Sequence, residues 1–275
     1  MNPDKKNSVS PIALVRSVIA NQELLRTLVV RDVLGRYRGS TFGLLWSFFN
    51  PILMLAVFTF VFSVVFQARW GEGSGSKTEF AMALFAGLIA FNFFSECMTR
   101  APTLILSNVG YVKKVVFPLE ILPVVAAGSA LFHLLVNFIV WIVFHTLLIK
   151  MPPITILLAP IVMLPLFTVV LGLSWLLASL GVFLRDVNQV IGVFVLVLLY
   201  LSPIFYPISA MPAAYRPYMQ ASPLTSTVEQ LRHVMMWGRG IDWFDWLGSM
   251  AIALVVAAFG YAWFQKTRRG FADVL

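Results

Sequence analysis

The sequence predicts an all-α integral membrane protein: six transmembrane helices, an N-terminal amphipathic interfacial helix, and a re-entrant helical segment between spans five and six. Three observations carry this. First, 60% of the 275 residues are hydrophobic and only 12% are charged, whereas soluble domains run near 45–50% apolar and about 25% charged. A mean hydropathy of +0.88 suits lipid rather than water, and the composition excludes a disordered, collagenous or disulfide-stapled chain. Second, the charges are spaced to leave uncharged stretches at 39–68, 80–95, 121–149, 151–184, 187–215 and 246–265, against the roughly 20 apolar residues that a spanning helix needs. Third, the stretch after the fifth of these carries Pro203, Pro207, Pro212, Pro217 and Pro223, which forbid one continuous helix although the segment stays rich in Phe, Tyr, Met and Trp.

From the N-terminus, residues 11–31 place Leu14, Val18, Leu25, Leu28 and Val29 on one helical face, with Arg16, Ala20, Glu23 and Arg31 opposite and Asn21 interrupting the apolar side. This reads as a helix along the membrane surface, either a plain anchor or an element that moves with a partner. Lys5 and Lys6 imitate the basic start of a signal peptide, but Arg16, Glu23 and Arg26 break the apolar stretch that such a peptide needs next, so the first span is expected to stay in the protein. The spans are expected at about 42–66, 80–99, 121–148, 155–182, 188–206 and 246–265. The second is the weakest, because Glu96 and Arg100 sit at its end. Between spans five and six, Ser202–Trp246 is read as short re-entrant helices or an interfacial cap. It holds a helix near Leu224–Trp237 with Thr225 and Ser226 at its start and Gly238 at its end.

Orientation comes from Lys and Arg. With six spans both termini share a side. Arg and Lys in residues 1–38, in the second and fourth loops and after residue 265 number fourteen, against six (Arg69, Lys77, Lys150, Arg216, Arg232, Arg239) on the other side. The excess puts both termini in the cytoplasm. The net charge of +8 is therefore a topology signal and not a nucleic-acid footprint.

Three groups of residues are candidates for function. Arg31, Arg36 and Arg38 stand where the chain enters the bilayer. They read either as anchors that snorkel to headgroups or as ligands of an anionic group such as a lipid-linked pyrophosphate, which the planar guanidinium fork suits. Gly39 and Gly43 nearby offer small faces for close helix packing. The second cytoplasmic loop sets Val112, Val115, Val116 and Phe117 beside Lys113 and Lys114. It is too polar to span and too apolar for a solvated loop, so it reads as a surface that a partner protein buries or a loop lying on lipid. Aromatic rings at Phe58, Phe62 and Phe66, and at Tyr200, Phe205 and Tyr206, could line a sugar path by stacking, as bases stack on aromatic platforms; packing and interface belts are the plainer reading.

Much chemistry is missing. Gly71–Thr78 reads GEGSGSKT, but Ser76 replaces the second glycine of a phosphate-cradling loop and the topology puts it outside the cell, so it is expected to be a flexible loop. The sequence has no H-E-x-x-H, C-x-x-C or D-x-D motif, and its single cysteine, Cys97, cannot form an internal bridge. His133 and His145 are twelve positions apart, roughly 18 Å along a helix, too far to share a metal. His133 is expected to be a buried, hydrogen-bonded histidine. The chain shows no energy source of its own.

RDVLGRYRGSTFGLLWSFFNPILM (Arg31–Met54), YVKKVVFPLEILP (Tyr111–Pro123) and LGVFLRDVNQVIGVFVLVLLYLSPIFYP (Leu180–Pro207) resemble, in order along nearly the whole chain, the membrane subunits of ABC exporters of O-antigen, capsule and teichoic-acid polysaccharides. The resemblance implies a single permease domain over 1–275, with an interfacial segment to residue 38, spans over 39–265 and a cytoplasmic tail over 266–275, in the bacterial inner membrane. It implies a homodimer that binds two separate ATPase subunits, which use the ATP and Mg; no cofactor or metal is expected on this chain. It implies a lipid-linked polysaccharide moving between the two copies, ATPase docking at Val112, Lys113, Lys114, Val115 and Phe117 together with the N-terminal helix, and an exit shaped by the proline-rich segment. The competing readings are an ABC permease for a drug or small lipid, a membrane-embedded transferase acting on lipid-linked sugars, and a stand-alone secondary transporter.

Overall fold

The structure, a computed structural model, describes residues 11–61, 76–112 and 117–275, with side chains from residue 16 onward. Among the described residues every regular element is helical. Helices α1 (Pro11–Ala20) and α2 (Gln22–Tyr37) are separated at Asn21, whose side-chain amide donates to the Ser17 carbonyl at 2.8 Å. The break falls where the sequence has a polar residue on the apolar face. That face is real: Leu28 is buried against Ile121 and Val125. Protein, at the start of the third span, covers it there.

Gly39 and Gly43 come next, with φ of +86° and +49°, and a methyl group on either would meet open space. They turn the chain between α2 and the first span, since only glycine takes this conformation without cost. The expectation that they pack helices together is overturned. The close packing occurs elsewhere: a methyl on Gly260 would lie 2.0 Å from the Gly172 carbonyl oxygen, and this is what lets the fourth and sixth spans meet backbone to backbone.

The first span is α3 (Trp46–Phe58), within an apolar helical run over Gly43–Val61 that is only 11% buried. The second, α4 (Lys77–Arg100), is 83% buried over its most apolar stretch. The span with the weakest sequence signal is thus the central one. Its charged end is tolerated because α2 and the third span, Ile121–Leu148, bring partners to it, Arg36 and His133 to Glu96 and Asp32 to Arg100. Ser76 caps α4 by accepting the Glu79 N–H at 3.1 Å, so the lysine-bearing end of Gly71–Thr78 is a helix start; residues 71–75 lie outside the described residues.

Helix α5 (Val109–Val112) is a single turn. Helices α6 (Ile121–Leu148) and α7 (Ala159–Phe183) are the third and fourth spans. The fifth, α8 (Val187–Leu201), is shorter than the expected 188–206. Ser202 turns extended before Pro203, because the pyrrolidine ring crowds the preceding residue out of the helical region. Fifteen residues rise about 22 Å, short of the roughly 30 Å hydrocarbon core. Among the described residues, five helices are long and apolar enough to cross a membrane, with α8 as a sixth, shorter one.

The proline-rich segment forms α9 (Arg216–Gln220) and α10 (Pro223–Met235), and α11 (Trp243–Thr267) with α12 (Phe271–Val274) ends the chain. Helix α10 lies where the sequence put it, and Gly238 ends it at φ +67°. Its start differs: Ser222 is the N-cap, without a side-chain cap bond, while Thr225 and Ser226 are buried inside the helix.

Candidate functional site

At one end of the bundle α1 and the segment after α11 converge. The Ser17 hydroxyl donates to Glu120 Oε1 at 3.0 Å and Arg268 Nη1 donates to Glu120 Oε2 at 2.6 Å. Beside them, Arg100 Nη2 donates to both carboxylate oxygens of Asp32, at 2.7 and 2.8 Å. Burial acts to raise the Asp32 pKa, but the nearby Ser129 hydroxyl, the hydrogen bonds from Arg100 and the charges of Arg100 and Arg36 outweigh it and hold the carboxyl below its ordinary value.

One helical turn further along α2, Arg36 forms an ion pair with Glu96. His133 Nδ1 lies 3.0 Å from Glu96 Oε2, and Tyr37 Oη lies 3.0 Å from His133 Nε2. One assignment satisfies all of these: Nδ1–H donates to the carboxylate and Nε2 accepts from the Tyr37 hydroxyl. Burial raises the Tyr37 pKa. Helices α2, α4 and α6 thus each contribute to one polar cluster, and His133 is the hydrogen-bonded histidine that the sequence suggested.

The cluster closes one end of a cavity of about 640 Å³. Its walls run along α3 from Trp46 to Phe58 and along α4 from Phe85 to Glu96, about 18 and 16 Å of helix. Ser47, Asn50, Asn92 and Asn137 add polar groups, while Phe58, Phe85 and Leu199 make the far end apolar. The Asn137 side-chain oxygen is buried there without a hydrogen-bond partner.

Of the candidate arginines, Arg36 reaches this cavity. Arg31 lies 5.9 Å above the Tyr111 ring, and Arg38 is exposed at the C-cap of α2. Of the candidate rings, Phe58, Phe205 and Tyr200 come together: both ring pairs, Phe58–Phe205 and Tyr200–Phe205, have centroids 5.7 Å apart. Tyr206 is turned away into a backbone bond, its hydroxyl donating to the Leu201 carbonyl at 2.7 Å. Phe62 and Phe66 lie outside the described residues. So do Lys113, Lys114, Val115 and Val116, but the segment's flanks are fixed. Tyr111 stacks on Phe117 at 4.3 Å and 6°, next to Val112. Arg268 Nη2 donates to the Phe117 carbonyl at 3.0 Å. The candidate docking segment is therefore gripped by α2 through Arg31 and by the chain's C-terminal part through Arg268.

Sequence reasoning missed the polar partners Ser17, Asp32, Tyr37, Glu120 and Arg268, the cavity's asparagines, and the role of Arg232. Tyr37 carried no signal beyond its position beside Arg36. Arg232 was counted as a loop charge, yet it is fully buried at the opposite end of the bundle. It donates to the carbonyls of Ala83, Pro203 and Ile204 at 2.9, 2.6 and 2.7 Å and to Glu229 at 2.8 Å. The pairing of Glu229 with Arg232 three positions on, in an amphipathic helix, was the available signal.

Comparison with known proteins shows a match to the ABC-2 type transporter family over residues 23–236. The chain is similar to an O-antigen export system permease protein of Myxococcus xanthus, 26% identical over 264 residues that make up 95% of this chain and 99% of that one. It is also similar to an O-antigen export system permease protein of Klebsiella pneumoniae, 25% identical over 92% of this chain and 95% of that one.

Proposed function

This chain belongs to the ABC-2 type transporter family, and on that premise we propose that it is the permease subunit of an ATP-driven exporter that moves a lipid-linked polysaccharide across the bacterial cytoplasmic membrane. The observation that carries the reading is the end-to-end similarity to O-antigen export permeases, over 95% of this chain and 99% of the relative. Two copies would form the path, and two separate ATPase subunits would bind ATP and Mg.

The geometry supports a mechanism in these terms. Ser17 and Arg268 meet at Glu120, which supports a topology with α1 and the end of α11 on one side and an even number of crossings. Helix α8 with the turn residues after it would then complete a sixth crossing. The Lys and Arg bias makes the shared side cytoplasmic. ATPase movement would reach the segment around Val112–Phe117 first. The Arg31–Tyr111 contact and the Arg268–Phe117 bond would pass it to α2 and to α11. Because α2 ends in Arg36 and Tyr37, the same motion would reshape the polar end of the large cavity, where a lipid diphosphate would find Arg36 and a sugar would find Asn50, Asn92 and Asn137. Phe58, Phe205 and Tyr200 would offer ring faces beyond it.

Assembly and export together test the reading. Cells lacking this chain should hold the lipid-linked polymer inside, and the tagged chain should copurify with an ATPase subunit. Charge reversal at Lys113 and Lys114 should reduce copurified ATPase about tenfold, as expected for losing two charge-assisted contacts worth roughly 1 kcal/mol or less each. Normal surface polymer without the chain would overturn the export reading; unchanged copurification would overturn the docking assignment alone.

A further inference from the structure

A second cavity, of about 280 Å³, lies at the opposite end of the bundle from the Arg36 cluster, between the proline-broken segment, α10 and the start of α11. Its lining includes Glu229, Gln230, His233, Trp237, Asp242 and Asp245. Two buried polar atoms in this lining have no hydrogen-bond partner: the Gln230 side-chain oxygen and the Trp237 indole N–H. Gln230 is only 4% exposed, and its amide nitrogen is already committed to the Ser226 hydroxyl at 3.2 Å. An unpaired buried polar group costs free energy, so one idle acceptor and one idle donor in one small cavity call for a ligand that supplies both.

A sugar hydroxyl does so, since it donates one hydrogen bond and accepts others. The remaining groups fit the same chemistry. Carboxylates accept hydroxyl protons in strong charge-assisted bonds. Trp237 adds an apolar ring whose polar edge needs a partner, and the His233 ring stands at 62° to it with centroids 5.8 Å apart. Among the described residues no group of three or more His, Cys, Asp or Glu, these carboxylates included, is arranged to hold a metal ion. Three carboxylates disfavour an anionic ligand. We propose that this cavity is a saccharide subsite that holds one or two uncharged sugar units of the polymer as it leaves the membrane on the outer side. The inference rests on the export reading for its ligand class and for the sidedness.

The test uses the chain together with its ATPase in lipid nanodiscs. The probe is the set of lipid-free oligosaccharides released by mild acid from the surface polymer of the parent cells. Binding is read by saturation-transfer NMR and by titration of tryptophan fluorescence, with polygalacturonate fragments as the anionic comparator. Trp237→Phe keeps the ring and removes the N–H; Gln230→Leu removes the idle acceptor. Each should weaken binding roughly tenfold, the worth of one hydrogen bond, with ATPase copurification unchanged. Should either variant fail to assemble, Asp245→Asn, which leaves intact the α11 cap bonds that the Asp242 carboxylate accepts, supplies the comparison and should weaken binding several-fold. Absence of fragment binding, affinity indifferent to these variants, a surface polymer built of acidic sugars, or equally tight binding of polygalacturonate would overturn the subsite. If surface polymer still depends on this chain, only the subsite fails; if it does not, the export reading fails first.

Discussion

Two arginines at opposite ends of the bundle show how one side chain does two jobs. Arg232 has no exposed surface and spends its guanidinium on three backbone carbonyls and one carboxylate. Arg36 is one-third exposed, borders a large cavity, and pairs with a single carboxylate that His133 shares. The carbonyls that Arg232 satisfies belong to Ala83 in α4 and to Pro203 and Ile204 in the turn after α8, where proline has ended the helix and its usual partners. Arg232 is therefore a staple that makes non-helical backbone tolerable at depth. Arg36 has one exchangeable partner, the arrangement that the proposed binding of a lipid phosphate would call for.

The largest expected effect comes from removing the staple. Arg232→Met should leave three buried carbonyls and Glu229 without their donor, costing about 3–5 kcal/mol, as for a broken buried ion pair. The thermal midpoint in detergent should fall sharply, with little assembled complex recovered. Arg232→Lys should fail nearly as badly, because one ammonium cannot reproduce the planar fork. A normal midpoint in Arg232→Met would erase the contrast between the two ends.

Much of this architecture could be read from the sequence because the periodicity of apolar residues and the placement of charge are local signals. The positions of α6, α7 and α10 came from them, as did the apolar face of α2. What could not be read was pairing across the chain. Glu96 looked like a defect in the second span because its partners, Arg36 and His133, are 60 and 37 positions away. Arg232 looked like a loop charge because its acceptors are backbone atoms as far as 149 positions away. Gly39 and Gly43 were misread because spacing says nothing of φ. Arg31, Arg36 and Arg38 were grouped by closeness in sequence, yet only Arg36 borders the cavity.

The second effect separates the jobs. Arg36→Gln should change stability by no more than about 1 kcal/mol, as for a partly exposed pair, while export falls several-fold with ATPase copurification intact. Glu96→Gln frees Arg36 without removing its charge, so it should retain more export than Arg36→Gln at similar stability. The measurements are surface polymer per assembled complex and the thermal midpoint. Equal loss of export in both variants would make the pair structural, and Arg36 would then resemble Arg232 more than it differs from it.

The smallest effect asks whether the cluster near Arg36 is held by charge at all. Asp32 sits on α2, outside the spans, and its pKa is lowered in the folded chain despite burial, chiefly by Ser129 and Arg100. A carboxyl with a depressed folded pKa contributes stability that is fully present above its unfolded value, about 3.9, and is lost as pH falls through the folded value. The thermal midpoint should therefore show no Asp32-dependent change between pH 7 and about 5. Below about pH 4 the difference between the parent chain and Asp32→Asn should shrink, because protonation makes the native side chain resemble the variant. The difference at pH 7 should be about 1 kcal/mol or less, since Asp32 and Arg100 keep 29% and 26% of their side-chain surface exposed. A gap that grows on acidification would mean that Asp32 is held by its neutral hydrogen bonds, and the N-terminal helix would then be fastened by packing at Leu28 rather than by charge.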